Sequence, residues 1–357
     1  MRWTAAGRCT SPMTSTTCKT VGASPLANGR PMWMSPSFST STTPATANPS
    51  PAPHREGPFL IALRPRACYN SRKPPGGDRM PILVLADIHG NLPALEAVLA
   101  HPAAQSCTDI ISLGDHVNFG PQSRAVHDRL VSLGAVMLLG NHEERLTRPA
   151  DAEFDGYNWR LMRWTAQQMQ GVELALPTDL RRGHVLFTHG TPGQPYHLVY
   201  PADLPSVLDA QPDGVNLLLS GHNHHRWDLK HNGRRAVNPG SVGMAEDGRG
   251  AVAPFLVLDG VDVIRHEAPY DVNAVLRAFI NTGAAYEAPE MCRMAAHVMQ
   301  TAEYQGVLKL VRHVSAVTAS MSLTLGDESA WKAADRTFPW AEAISSPEYW
   351  NRLEKSL

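Results

Sequence analysis

Two side chains of metal-binding type, Asp87 and His89, stand one residue apart at the end of the apolar run 83–86. Such a run is typical of a buried strand, and open α/β sheets bind their ligands beyond the carboxyl ends of strands. A carboxylate and an imidazole there can turn toward one metal ion. Alone, the pattern fits a polar turn after a core strand even better, so other ligands must decide between the two interpretations.

Four later apolar segments end in a similar way. Their polar ends are Gly114-Asp115, Gly140-Asn141-His142-Glu143, Thr188-His189-Gly190 and Gly221-His222-Asn223-His224. Glycine beside each polar group lets the backbone turn sharply and leaves room for an ion. If the strands are neighbours in space, these side chains converge at one edge. Five such ends in series indicate a metal centre.

The number of candidate ligands suits two metal ions, because one ion needs only three or four protein ligands. The candidates are Asp87, His89, Asp115, Asn141, His189, His222 and His224. Two ions about 3.5–4 Å apart can share one carboxylate. Mixed imidazole and oxygen ligands suit divalent Mn, Fe, Zn, Ni or Co better than Ca, and we favour Mn. Two divalent cations against two carboxylates leave positive charge that attracts phosphate.

His142 and Glu143 are the candidate catalytic residues. His142 is the histidine left over after metal binding, and the remaining task is to protonate or stabilise a leaving oxygen. Glu143 follows it directly, and its carboxylate is expected to orient or tune the imidazole.

The elements that must position these residues alternate between strand and helix and then become consecutive strands. We predict strands over 82–86, 109–113, 135–139, 184–188 and 215–220, followed by 227–230, 236–238, 255–259 and 261–266. We predict helices over 92–99, 123–133, 157–169, 203–208, 272–280, 289–301 and 308–317. This order favours stacked sheets with helices outside.

Composition limits the remaining possibilities. The chain has 357 residues, 43% of them hydrophobic, and a net charge of -1, so it has no overall attraction for nucleic acid or anionic membranes. The five cysteines are scattered without a C-x-x-C pair, which argues against a disulfide framework or a cysteine zinc site. No apolar run approaches the roughly 18 residues that span a bilayer. We expect a soluble, cytoplasmic protein.

Four segments differ in character. Residues 1–79 are rich in Ser, Thr and Pro and are expected to be disordered; Met80 is the expected true start, with a transit peptide or a functional tail as alternatives. Residues 80–270 hold the metal ligands. Residues 271–325 are expected to form a helical extension on the core. No interpretation is reached for 326–357 beyond some docking of its tryptophans.

The motifs together resemble a family. Asp-x-His, Gly-Asp-x-Val-x-x-Gly-Pro, Gly-Asn-His-Glu, His-Gly and Gly-His-x-His, in this order, resemble the calcineurin-like metallophosphoesterases. The local segments 113–121 and 238–243, the Trp164-Thr165 helix and the helix start at Tyr270-Asp271 are similar to the small prokaryotic YfcE/MJ0912-type branch. The resemblance covers roughly residues 80–306.

The resemblance implies a four-layer α/β/β/α sandwich with a dinuclear metal site at one edge. It implies two ligand sets bridged by Asp115, namely Asp87, His89 and His224 for one ion, and Asn141, His189 and His222 for the other. It also implies in-line attack on phosphorus by a hydroxide that bridges the metals, with His142 stabilising charge on the oxygens. The chain departs from the family pattern at His116 and Asn223, and neither change removes a ligand.

Five further residues are candidate substrate contacts, although each also fits a solvated or supporting role. They are Arg145, Tyr196, His197, His116 and His225. We expect a phosphodiesterase acting on a small phosphate ester or a nucleotide. The alternatives are a phosphomonoesterase or protein phosphatase, a dinucleoside polyphosphate hydrolase, and a non-catalytic scaffold of the same fold. Nucleic acid enters only as a substrate, no membrane is expected, and the oligomeric state is left open.

Overall fold

A computed structural model describes residues 81–148 and 154–357. The expectations for residues 1–79, and for Met80 as the true start, lie outside the described residues. Within those two ranges, no helix is both long and apolar enough to cross a membrane.

Ten strands are present in the described residues. In chain order they are β1 (Ile82–Leu85), β2 (Asp109–Ser112), β3 (Val136–Met137), β4 (Asp179–Arg182), β5 (Val185–Thr188), β6 (Leu217–Leu219), β7 (Trp227–His231), β8 (Arg234–Asn238), β9 (Val252–Asp259) and β10 (Asp262–Pro269). They form two five-stranded mixed sheets. The first has the order β10-β9-β1-β2-β3, and the second has the order β4-β5-β6-β8-β7.

Twelve α-helices occur in the same ranges. They are α1 (Leu92–Ala100), α2 (Pro102–Gln105), α3 (Ser123–Ser132), α4 (Asn141–Thr147), α5 (Arg160–Gln168), α6 (Leu204–Asp209), α7 (Val272–Asn281), α8 (Ala284–Glu287), α9 (Pro289–Thr301), α10 (Gly306–Met321), α11 (Glu328–Thr337) and α12 (Ser346–Ser356). A 3₁₀ turn at Tyr157–Trp159 precedes α5, where one continuous helix was predicted. All seven predicted helices and nine predicted strands are present, with boundaries shifted by a few residues.

The two sheets pack face to face because alternate residues of each strand point to opposite sides. Val84 of β1 and Phe187 of β5 meet in the cluster between the sheets. On the outer face of the first sheet, Leu85 packs with residues of α1 and α3. On the outer face of the second sheet, Leu218 packs with Leu204 of α6 and its neighbours. The expected four-layer α/β/β/α sandwich is confirmed.

The strands that carry the candidate ligands run parallel within their sheets. β1 pairs in parallel with β2, and β2 with β3, while β5 pairs in parallel with β6. Their carboxyl ends therefore lie along one edge of each sheet. The segment after β8 joins the two edges, because the amide of Val242 donates to the carbonyl of Ala86 at 2.9 Å.

Two elements near the site were not predicted. β4 is an edge strand whose four residues are all at least partly exposed, so it lacks the apolar alternation that marks a half-buried strand. Helix α4 begins at Asn141, inside the candidate ligand motif, and its first three residues are buried polar ones. Its sequence therefore carries polar functional residues in place of the apolar stripe by which a helix is usually predicted.

The helices that follow β10 share one hydrophobic cluster. The cluster includes Trp331 and Trp350, and it reaches Leu161 of α5 and Phe119 beside the candidate site. The indole of Trp350 donates to the carbonyl of Pro289 at 3.0 Å, and the ring of Trp340 lies 4.3 Å from the Arg293 guanidinium. These contacts explain what the C-terminal tryptophans do: they join α11 and α12 to α9.

Candidate active site

The seven candidate metal ligands converge at the edge where the two sheets meet. All are buried except His224, whose side chain is 11% exposed. The ligand atoms of one set lie within 4.8 Å of one another, and the same holds for a second set. The first set is Asp87, His89 and His224, and the second is Asp115, His189 and His222. The resemblance implies the same first set, and for the second ion Asn141, His189 and His222 with Asp115 as the bridge; that assignment stays a prediction.

Backbone strain is concentrated on these residues. Five of the seven adopt left-handed φ values, which side-chain-bearing residues seldom do. They are Asp87 (53°), His89 (48°), Asp115 (51°), His222 (72°) and His224 (58°). Each such conformation costs on the order of 1–3 kcal/mol and persists only where the surroundings impose it. The strands end abruptly here, so each ligand is turned back toward the same point.

Two glycines leave the space that the ligands need. A Cβ at Gly140 would lie 2.1 Å from Oδ1 of Asp115, and a Cβ at Gly114 would lie 2.9 Å from Nδ1 of His189. Gly114 also has a φ of 106°, which strongly favours glycine. Gly114 and Gly140 are therefore required, because a side chain at either position would collide with a candidate ligand.

Hydrogen-bond acceptors face one another across the second set. The Nδ1 atom of His189 donates to the carbonyl of Leu113 at 3.0 Å, so its Nε2 is left as a lone-pair donor for a cation. That Nε2 lies 3.2 Å from Oδ2 of Asp115 and 3.1 Å from Oδ1 of Asn141. Three acceptors this close need a cation or an extra proton between them.

The first set shows the same feature. Nδ1 of His89 donates to the carbonyl of Val117 at 3.2 Å, and its Nε2 lies 2.9 Å from Nε2 of His224. In the second set, the buried Nε2 of His222 has no hydrogen-bond partner. Imidazole and carboxylate atoms left in this state are what divalent transition metals bind. The residues present therefore fit the metal ions that the family implies.

The pKa values of the metal-free chain follow from burial and close charges. Burial lowers the pKa of His89 and His222 well below the usual value, so both imidazoles are neutral. Burial raises the pKa of Asp87 to about 6. Burial also acts to lower the pKa of His189, yet the carboxylates of Asp115, Asp87 and Glu143 together outweigh it and raise that pKa to about 9. Without metal, His189 thus holds a proton where a cation would lie.

His142 lies beside both sets, with Nε2 3.8 Å from Oδ2 of Asp115. Its Nδ1 accepts a hydrogen bond from Nδ2 of Asn118 at 2.9 Å, and Oδ1 of Asn118 accepts from the hydroxyl of Thr165 at 3.2 Å. Burial lowers the pKa of His142, so the imidazole is neutral. Because Nδ1 is an acceptor, the proton is on Nε2, which faces the ligands.

Asn118 and Thr165 were not assigned a role from the sequence. Both lie within segments that carry the family resemblance, and their place in those segments is the sequence signal that could have identified them. Their amide and hydroxyl groups act through His142, which no spacing rule reveals.

Glu143 is fully buried, and its carboxylate binds backbone amides. It accepts hydrogen bonds from Asp115 (2.8 Å), Gly140 (3.0 Å) and Val117 (3.1 Å). We expected Glu143 to orient His142, but the structure assigns that contact to Asn118. Glu143 instead fixes the loops that carry Asp115 and Asn141.

His116 does not line a pocket, because its side chain is completely buried. Its Nδ1 lies 3.1 Å from Oε1 of Glu143, and its Nε2 lies 3.1 Å from Nδ1 of His127. The predicted substrate contact at this position is replaced by a supporting one. The histidine that departs from the family pattern thus braces Glu143.

The other candidate substrate contacts lie around this centre. The guanidinium of Arg145 lies 4.2 Å from the ring of Phe154 and 5.0 Å from that of Trp159. The Tyr196 hydroxyl accepts from Arg148 at 2.5 Å. His197 is partly buried, and its amide donates to the carbonyl of Gln194. The ring of His225 lies 4.6 Å from that of Tyr304. Their contact with substrate stays a prediction.

Glu246 is a further residue that the sequence did not reveal. Its Oε1 lies 3.5 Å from Nδ1 of His224, and its Oε2 accepts from the amide of Gln305 at 2.9 Å. Carboxylates commonly hold the outer nitrogen of a metal-binding histidine. Glu246 stands in a loop without periodicity, so no sequence pattern marked it.

Two packed sheets with buried histidines and aspartates at their shared edge define a metallophosphoesterase, a hydrolase of phosphate esters. Residues 80–260 match the calcineurin-like phosphoesterase superfamily domain, and the chain belongs to that superfamily. The resemblance seen in the motifs is thereby confirmed. The helices from α7 onward lie outside the matched residues.

Individual relatives agree with this assignment. Protein MJ0912 of Methanocaldococcus jannaschii is 25% identical over 219 residues, which cover 54% of this chain and 88% of the relative. Phosphodiesterase YfcE of Escherichia coli K12 is 27% identical over 203 residues, 52% of this chain and 91% of the relative. A metallophosphoesterase from Sphaerobacter thermophilus superposes with a TM-score of 0.54 at 26% identity, covering 62% of this chain and 100% of that structure.

Proposed function

We propose that the chain is a phosphodiesterase that works with two divalent metal ions. The observation that carries the proposal is the buried group of facing acceptors, in which Nε2 of His189 meets Asp115 at 3.2 Å and Asn141 at 3.1 Å. A buried cluster of this kind is costly unless cations compensate it. Its polar atoms face the edge where the strand ends meet.

Each metal ion has its own ligand set in this proposal. Asp87, His89 and His224 would hold one ion, and Asn141, His189 and His222 would hold the other. Asp115 serves both, because its Oδ2 lies 3.2 Å from Nε2 of His189 and 4.0 Å from Nε2 of His89. We favour Mn, since imidazole mixed with carboxylate and amide oxygen suits it. When bound, the ions supply Lewis acidity that polarises the phosphoryl oxygens and lowers the pKa of the attacking water.

His142 acts on the leaving oxygen. Asn118 holds its Nδ1 as an acceptor, so the Nε2–H group points toward the reacting phosphate. This group donates a hydrogen bond to the oxygen on which negative charge develops, and the departing alkoxide takes its proton from solvent water. Glu143 acts through the backbone of Asp115 and Gly140 and is a positioning residue.

A diester is the favoured substrate class because the E. coli relative carries the name phosphodiesterase. A phosphomonoesterase and a dinucleoside polyphosphate hydrolase remain the alternatives within the enzyme class. A scaffold of the same fold would have no need to retain seven convergent ligands together with His142. The complete set therefore favours catalysis.

The test is hydrolysis by the full chain after its metals have been removed and replaced by Mn, Fe, Zn, Ni or Co in turn. The substrates are p-nitrophenyl phosphate, bis(p-nitrophenyl) phosphate and diadenosine tetraphosphate. We expect Mn to restore the highest kcat/KM with the diester. Higher kcat/KM with either of the other substrates would replace the diesterase assignment, and no hydrolysis with any metal would refute catalysis.

A further inference from the structure

Three aromatic side chains form a rim beside His224, which we call the aromatic rim: Tyr200, His225 and Tyr304. Tyr304 is 49% exposed and Tyr200 is 38% exposed, so both rings present accessible surface. The rings of His225 and Tyr304 lie 4.6 Å apart at 62°. His225 is the chain neighbour of His224, a candidate metal ligand, so the rim lies next to the metal centre.

Contacts that lead to His224 of the metal centre hold Tyr304 in position. The next residue, Gln305, donates its amide to Glu246 at 2.9 Å, and the other oxygen of Glu246 lies 3.5 Å from His224. The side chain of Gln305 also donates to the Tyr304 hydroxyl at 3.0 Å. Gln305 adopts a left-handed φ of 53°, so the turn between α9 and α10 is bent to make these contacts.

The third ring comes from the loop after β5. The carbonyl of Val199, the preceding residue, accepts a hydrogen bond from Nδ2 of Asn223 at 2.5 Å, which places Tyr200 beside the segment of His224 and His225. Burial, Tyr304 and Glu246 raise the pKa of the Tyr200 hydroxyl. The rim thus combines segments that follow β5 and β6 with one from the helical extension. Tyr304 comes from the helical extension, which lies outside residues 80–260 that match the superfamily domain.

We propose that the aromatic rim binds a planar ring of the substrate, with Tyr304 as its main specificity-determining residue. The ring is a nucleobase or an aryl group esterified to the phosphate, and the inference rests on the proposed phosphodiesterase function. Exposed aromatic faces gain affinity by stacking on any planar ring, because every such ring has a π face.

The test measures ligand binding, which reports on the aromatic rim whether or not the chain hydrolyses the ligand. Calorimetry on the full, Mn-loaded chain compares phenylphosphonate and thymidine 5′-thiophosphate with methylphosphonate, which has no ring. We expect both ring-bearing ligands to bind more tightly than methylphosphonate. In Tyr304→Ala their affinity should fall about 5- to 100-fold, the range found when stacked aromatic residues are removed. Methylphosphonate should bind the variant and the wild type equally.

Two controls separate stacking from general damage. Tyr304→Phe keeps the ring and should retain the affinity. Tyr286→Ala removes another exposed tyrosine of the helical extension, 44% exposed, and should change none of the three affinities. A loss confined to the thymidine ligand would support a nucleobase, and a loss for both would support any planar ring. Equal affinities in the wild type and Tyr304→Ala would overturn the inference, whereas absent hydrolysis with ring binding intact would refute only the proposed function.

Discussion

The Nε2 atoms of His89 and His224 lie 2.9 Å apart in a buried site. On their outer sides, Nδ1 of His89 donates to Val117, and Nδ1 of His224 lies 3.5 Å from the Glu246 carboxylate. Both Nδ1 atoms are therefore directed at acceptors, and the two Nε2 atoms are left facing each other. Because Nδ1 of His89 is the donor, its Nε2 presents a lone pair to His224, and a proton on Nε2 of His224 or a cation belongs between the two rings.

Stability of the metal-free chain should fall as the pH rises from about 7 to about 9. The pKa of His189 is raised from 6.5 to about 9, and that of His224 is raised too. A raised pKa in the folded state contributes stability below the unfolded value, and this contribution is lost as pH passes the folded value. Histidines with lowered pKa values are neutral in both states above about pH 7 and add no slope.

Thermal unfolding of the metal-stripped chain at several pH values measures this effect. Because Mn must displace the proton of His189, its affinity should rise over the same pH window, and binding should release protons to the buffer. Calorimetry in buffers of different ionisation enthalpy counts them. If the Tm of the metal-free chain stays constant or rises from pH 7 to 9, the buried acceptors around His189 do not share a proton as described.

Removing the His142 side chain should reduce turnover and leave the metals in place. In His142→Ala we expect kcat to fall by a factor on the order of 10²–10³, the usual cost of losing one donor that stabilises developing negative charge. Metal content is measured on the same sample by mass spectrometry. The ligand atoms of His142, His89 and Asp115 lie within 4.8 Å of one another, so loss of an ion would identify His142 as a ligand instead.

Asp115→Asn should damage both metal sites together. The carboxylate of Asp115 lies close to His189 of one set and His89 of the other, and an amide is a weaker ligand for either ion. Titration with Mn, followed by equilibrium dialysis, should show weaker binding at both sites. Retention of one site at wild-type affinity would contradict the bridging role.

Glu246→Gln should weaken metal binding without removing a ligand. Loss of the negative charge 3.5 Å from His224 lowers the basicity of that imidazole, and changes to such supporting groups cost about 10- to 100-fold in metal affinity or activity. The control is Glu267→Gln, which removes a partly exposed carboxylate that forms ion pairs with Arg249 and Arg226 and makes no contact with His224. Equal metal affinity in the two variants would show that Glu246 does not support His224.

The sequence revealed the candidate ligands because each one stands where an apolar run stops. A strand end is a local property, and the ligand types at Asp87, His89 and His189 carry their chemistry in the residue name. The stacked sheets of the sandwich could be predicted from the order of the apolar segments, in which strands and helices alternate and then several strands follow one another. The family motifs added the pairing of ligands between the two sheets, which no spacing rule could supply.

The supporting residues depend on contacts between distant segments, and local patterns do not reveal them. Glu143 lies beside His142 in the chain, yet its carboxylate reaches the amide of Asp115, 28 residues away. Glu246 meets the backbone of Gln305 across 59 residues. The edge strand β4 escaped prediction because its exposed Asp-Leu-Arg-Arg residues form their pattern only against β5.

The most direct test of the two-metal centre is a titration of the metal-stripped full chain with Mn, in which bound metal and hydrolysis of bis(p-nitrophenyl) phosphate are measured on each sample. We predict two Mn ions per chain at saturation and activity that rises with occupancy of the second ion. Saturation at a single ion with full activity, or two bound ions without hydrolysis, would contradict the account.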